Sequence, residues 1–177
     1  IIEVEADAKF SGTCNKAGEI PVIVINKQMS AERKRMTIFH ELGHLLMHFA
    51  QGVDEEKMCT MFASEVLIPK EKFVDILGES RHDISLVELQ VVQREYGISV
   101  DALMAKAAQL NVITRRRYQS YFKKKNALPQ FKTAVEKSLV DDEHTNRFER
   151  LVYRALASEV ISTSKAASLL NCSVEKV

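Results

Sequence analysis

Met36-Thr37-Ile38-Phe39-His40-Glu41-Leu42-Gly43-His44-Leu45-Leu46-Met47 is the stretch on which the fold turns. Residues four apart in a helix lie about 6 Å from each other along one face, so His40 and His44 can close on one metal ion. A carboxylate one position after the first ligand, here Glu41, reaches a water beside such a metal without being a ligand, as metal-assisted hydrolysis requires. The flanks are apolar on nearly every helical face, which predicts a helix buried inside a domain. Two imidazoles and a carboxylate are costly to desolvate there unless something satisfies them. A zinc ion does so; satisfied core histidines are the plainer alternative.

Zinc in a catalytic site takes three protein ligands and keeps one position open, so a third donor must come from elsewhere. The metzincin pattern, with a Gly and then a third His ten positions after the first, is excluded because position 47 is Met and position 50 is Ala. His48 lies about 12 Å along the helix from His40, too far to share one ion, and reads as a flanking or solvent-facing residue. After a turn at Gln51-Gly52, residues 54–69 read as a second helix with an acidic start and a stop at Pro69. Met58, Cys59, Phe62, Ala63, Val66 and Leu67 form its apolar stripe. Glu55 falls near the middle of that stripe and Glu56 at its edge, so periodicity leaves both as candidate ligands. Glu65, two turns further on, reads as a surface or supporting group.

In order and spacing, residues 35–46 followed by Glu56-Lys57-Met58-Cys59-Thr60-Met61-Phe62-Ala63-Ser64-Glu65-Val66-Leu67-Ile68-Pro69 resemble the ImmA/IrrE family of metallopeptidases. In that family the third ligand is the Glu six residues before the Phe-Ala pair. The resemblance therefore implies His40, His44 and Glu56 on zinc, with Glu41 as general base. It is strongest over residues 20–69. The family often has Ala-Asn where this chain has Cys59-Thr60, which leaves the fold expectation intact but removes any supporting role an Asn would play beside the ligands.

With 177 residues, 46% of them hydrophobic, the chain can bury a core and hold one domain with an appendage. A net charge of +1 gives no global drive towards nucleic acid or an anionic membrane. No apolar run approaches the roughly 18 residues of a bilayer span, so no membrane association is expected. Cys14, Cys59 and Cys172 are odd in number and far apart, which argues against a disulfide framework or a four-cysteine zinc site and suits a reducing cytoplasm. Cys14 reads as a small residue in a turn. The start at Ile1 carries no basic-then-apolar leader, and the chain reads as an excised fragment of a longer protein.

The expected fold is α+β: a mostly helical, zincin-like core over residues 1–80, with a small N-terminal sheet, and a helical half over 81–177. Strand signals lie at residues 1–8 and at Ile20-Pro21-Val22-Ile23-Val24-Ile25, with a connecting turn suggested by Gly12 and Asn15-Lys16-Ala17-Gly18. The second strand is a candidate edge for pairing with an extended substrate, or equally a buried strand covering the active-site helix. Residues 85–96, a turn at Gly97-Ile98, Ser99 as an N-cap, 100–110 and a third helix from Thr114 resemble helix-turn-helix packing. Residues 148–159 and 162–170, ending at Asn171, repeat the look. Such packing more often completes a core than binds DNA.

Arg115, Arg116, Arg117, Lys123, Lys124 and Lys125 bracket Tyr118, Tyr121 and Phe122, supplying the cations and stacking rings that a nucleic-acid surface uses. A solvated helix with its rings turned inward has the same sequence. Asp141-Asp142-Glu143 partly balances the charge, while His82 and His144 lack partners at ligand spacing. The leading expectation is a zinc-dependent endopeptidase with an electrophilic partner drawn from Tyr96, Tyr118 or His82. The resemblance implies a regulatory enzyme cutting a specific protein such as a helix-turn-helix repressor. The competing expectation is a metal-containing regulator that acts by binding DNA or protein, with little peptidase activity.

Overall fold

A computed structural model of the chain describes residues 1–15, 20–140 and 147–176. The His-Glu-x-x-His stretch lies on helix α1 (Ala31–Leu46), whose start is fixed by Ser30 accepting a hydrogen bond from the Arg33 amide. After the turn at Gly52, α2 (Glu55–Leu67) begins behind Asp54, whose side chain accepts from the Lys57 amide. The two helices pack more extensively against each other than any other pair of elements. They approach closely at Gly43: a Cβ there would stand 3.1 Å from Met47 Cε, 3.2 Å from Cys59 Sγ and 3.3 Å from Cys59 Cα, so a side chain at position 43 would require its neighbours to give by a few tenths of an ångström.

The burial expected of α1 is only half realised. Ala31, Glu32, Lys34 and Gly43 are buried, Met36, Ile38, Phe39, Leu42 and Leu45 are half-buried, and Leu46 is exposed. One side of the helix meets α2 and the sheet, its first turns also reach α4, and its metal-ligating candidates His40 and His44 are only half-buried.

The sheet is small: β1 (Ile2–Val4), β2 (Gly12–Asn15) and β3 (Val22–Asn26) in the order β1-β3-β2, with β1 parallel and β2 antiparallel to β3. Two expectations change here. The strand at residues 20–25 is not an edge; it is the central strand, and β1 and β2 are the edges. Gly12 and Cys14 belong to a strand rather than a turn, while Lys16, Ala17 and Gly18 lie outside the described residues. Strand pairing is non-local, so a short β-branched run reveals that a strand exists without revealing its neighbours. Asn26, 1% exposed, holds the β1–β2 connection by donating from Nδ2 to the carbonyls of Asp7 and Phe10, both at 3.0 Å.

From Pro69 the chain is helical: α3 (Lys70–Leu77), α4 (Leu86–Tyr96), α5 (Val100–Gln109), α6 (Arg115–Ala127) and α7 (Pro129–Glu136). Ser85, Ser99 and Thr114 each accept from the amide three residues on, starting α4, α5 and α6 as the sequence predicts. The main apolar core lies among these helices, built on fully buried residues such as Phe73, Leu77, Ile98 and Leu103. Buried Lys106 of α5 joins this half to α2, donating to Glu65 Oε2 at 2.7 Å and to the Ser64 carbonyl at 3.2 Å.

Gly97 ends α4 in the left-handed region, with φ +60°, and a Cβ there would stand 1.7 Å from the Arg35 guanidinium of α1. Arg35 donates to the Tyr96 carbonyl at 3.2 Å, so this turn is where α1 meets the helical half. Gly97→Ala combines an unfavourable φ with displacement of Arg35 and should destabilise the fold by about 1–3 kcal/mol. Urea denaturation checks this; an unchanged midpoint would show that the turn does not depend on that close approach.

The chain is an α+β protein of two compact units, Ile1–Asp142 and Glu143–Val177. Residue 80, the boundary expected from the sequence, lies within the first unit, because the core runs through it from Ile68 to Val135. The second unit contains α8 (Arg147–Ala157), α9 (Thr163–Leu170) and a single 3-10 turn (Val174–Lys176), packed around Val152, Ala166 and Ala167. Ser162 caps α9, and Asn171 ends it in the left-handed region with φ 52°. Asp141, Asp142, Glu143 and His144 lie outside the described residues. Among the described residues no helix is long and apolar enough to cross a membrane.

Candidate metal centre

His40 and His44 stand one turn apart on α1 with their Nε2 atoms 3.2 Å from each other. Glu56, from the first turn of α2, places Oε2 3.1 Å from His40 Nε2 and Oε1 3.3 Å from His44 Nε2. Hydrogen bonds alone satisfy such a triangle poorly. Two imidazole nitrogens and a carboxylate meet there as acceptors, and a neutral ring carries only one N–H in all, on one nitrogen or the other. A cation at the centre satisfies all three. Zinc–nitrogen and zinc–oxygen bonds of about 2.0–2.1 Å at tetrahedral angles put neighbouring donors about 3.3 Å apart, close to the 3.2 Å between the two imidazole nitrogens and to the distance from each of them to one oxygen of the carboxylate. The residues fit a zinc ion.

These are also the only group of three or more His, Cys, Asp or Glu donors among the described residues with ligand atoms close enough to share an ion, all within 4.8 Å. Glu41 is half-buried on α1 and outside this trio. Glu55 is outside it too, so of the two carboxylates that periodicity leaves open, Glu56 is the one that lies against the histidines. Exposure is uneven: the His40 and His44 side chains are 20% and 23% exposed, the Glu56 side chain 76%. His48 and His82 are exposed and take no part. Cys59 is fully buried under Gly43. Burial pushes its thiol up, and the nearby carboxylates of Glu56, Glu41 and Glu55 push it further.

One further residue comes to the site that sequence reasoning did not assign. Thr60 Oγ1 lies 3.2 Å from His40 Nδ1. Beside Glu56 a cleft of about 830 Å³ opens between α2, α5 and the start of α6, lined by Thr60, Met61, Ala108, Arg115 and Tyr118 among others. Burial, assisted by Asp101, pushes the Tyr118 hydroxyl up, so it remains a proton-bearing donor through neutral pH.

The other rings of the basic aromatic segment face inward. Tyr121 is buried and donates to Asp101 at 2.6 Å, and Phe122 packs on the core. Arg117 pairs with Asp83, and Lys125 with both Asp101 and Glu136. Arg115, Arg116, Lys123 and Lys124 are exposed, although Lys124 covers the Phe131 ring at 4.4 Å.

An α+β domain that brings two imidazoles from one helical turn and a carboxylate from the next helix to one point, with a second carboxylate following the first imidazole in sequence, has the layout of a metallopeptidase. The profile of the IrrE N-terminal-like domain family, Peptidase_M78, matches residues 2–107, more than half of the chain, and the protein belongs to that family. The matched segment holds the sheet, all three candidate ligands and most of α5, while Arg115 and Tyr118 lie beyond it. No curated protein matches the chain.

Proposed function

We propose that the protein is a zinc-dependent endopeptidase of regulatory type, acting in the cytoplasm on a specific protein such as a helix-turn-helix repressor. The observation that carries this reading is the convergence of ligand atoms from His40, His44 and Glu56 within 4.8 Å of one another. Zinc held by these three would supply a Lewis acid that acidifies water and polarises a peptide carbonyl. Glu41, next to the first ligand, takes the proton from the attacking water and passes it to the leaving amine nitrogen. Of the three candidates for the electrophilic partner, Tyr118 alone shares the cleft with Glu56 and is assigned to donate its hydroxyl proton to the developing oxyanion. The choice of a repressor as substrate rests on the resemblance to regulatory peptidases of the family. The inward rings and the paired Arg117 and Lys125 weigh against a stacking nucleic-acid surface on α6.

The test uses a purified repressor encoded beside the protein's own gene. Cleavage is expected with the protein as isolated, is expected to stop after treatment with a chelator, and is expected to return with zinc. Cleavage that continues undiminished in chelator would overturn the metal-dependent reading.

A further inference from the structure

His40 lies across two successive turns of α2. Its Nε2 faces Glu56 Oε2 at 3.1 Å, and its Nδ1 faces Thr60 Oγ1 at 3.2 Å. Glu56 and Thr60 are four apart, which puts carboxylate and hydroxyl on one face of the helix, and that face is the one turned to α1. Both ring nitrogens of His40 are therefore addressed by the same helix.

We infer that Thr60 is the residue that positions His40 for metal binding, accepting the Nδ1 proton so that the Nε2 lone pair is directed at the ion. The inference rests on the metal reading above and deepens it. A neutral imidazole that gives Nε2 to a cation must carry its proton on Nδ1, and an acceptor there fixes both the tautomer and the ring plane. Thr60 suits the task because branching at Cβ restricts its side chain to few rotamers in a helix, so its hydroxyl is held in place at little further entropic cost. The remaining face of Thr60 lines the cleft beside Glu56, so this contact sits where α2 meets both the ligands and the space for substrate.

The inference separates cleanly from a role in folding alone. Thr60→Val keeps the shape and branching and removes only the hydroxyl, while Thr60→Ser keeps the hydroxyl and removes the methyl. Zinc affinity of the full chain, measured by competition with a chromogenic chelator, should fall about 10- to 100-fold in the Val variant and stay close to wild type in the Ser variant. The melting curves of the zinc-free proteins should coincide. In the zinc-loaded wild type and Ser variant, the His40 Nδ1 proton should appear as a slowly exchanging low-field NMR signal, and in the Val variant it should broaden into solvent exchange. A Val variant that binds zinc as tightly as wild type overturns the role of Thr60 and leaves the zinc site standing. Equal losses in Val and Ser overturn the role of the hydroxyl. A wild type that binds no zinc removes the metal reading itself, and the inference with it.

Discussion

Glu41→Gln should lower the rate of repressor cleavage about a thousandfold while leaving bound zinc unchanged. The amide is nearly the size of the carboxylate but cannot take a proton, so the substitution removes the transfer step and little else. Glu41 lies outside the trio of candidate ligands, which is why the metal content should not follow the activity. Parallel measurement of cleavage rate and zinc content on one preparation makes the distinction. If both fall together, Glu41 is holding the metal. If neither falls, it is not the base.

The largest effect on stability is expected at Glu32, in the first turn of α1 and only 2% exposed. Its carboxylate accepts from Gln93 Nε2 at 2.7 Å, the Ser138 hydroxyl at 2.8 Å and the Leu139 amide at 3.0 Å. It thereby ties the metal-site helix to α4 and to the segment after α7. Glu32→Ala removes an acceptor shared by three donors, of which Gln93 and Ser138 keep a second one in the Lys137 and Val140 carbonyls, and should cost about 2–4 kcal/mol in denaturant unfolding. The effect carries a pH signature. Burial pushes the Glu32 carboxyl up, but the hydrogen bonds from Gln93, Leu139 and Ser138 outweigh it and hold the group below its ordinary value of 4.5. A carboxyl lowered in the folded state contributes its full stability above pH 4.5 and loses it as pH falls through the lower folded value. Wild-type stability should therefore decline in that acid range, and part of the decline should be missing in Glu32→Gln. Glu65 and Asp83 are also held low, against burial, by Lys106 and Arg117 respectively, and account for part of what remains. A Gln variant with the same acid profile as wild type would show that Glu32 is not a source of it.

What could be read from the chain divides by the range of the interactions. The metal-site helix, the acidic start of α2 and the starts of α4, α5, α6 and α9 were legible because each depends on residues within a turn of one another. The position of β3 in the middle of the sheet was not, since the pairing of three short strands depends on partners that periodicity does not mark. Glu55 and Glu56 were indistinguishable by pattern because an apolar stripe is wide enough to admit both; only the family resemblance, and then the meeting of α1 and α2 over Gly43, separated them. The short helices α3 and α7 escaped notice because eight residues hold barely two turns of signal. Thr60 could not be found at all from sequence, as its hydroxyl matters only once His40 has been brought to it from another helix. The inward turn of Tyr121, likewise, waits on Asp101 from α5.

The most direct measurement is the metal content of protein purified without chelator, with the two neighbouring carboxylates substituted separately. The account predicts a single zinc per chain in the wild type and in Glu55→Gln, and its loss in both His40→Ala and Glu56→Gln. A wild type free of metal, or a metal lost in Glu55→Gln and kept in Glu56→Gln, would contradict it.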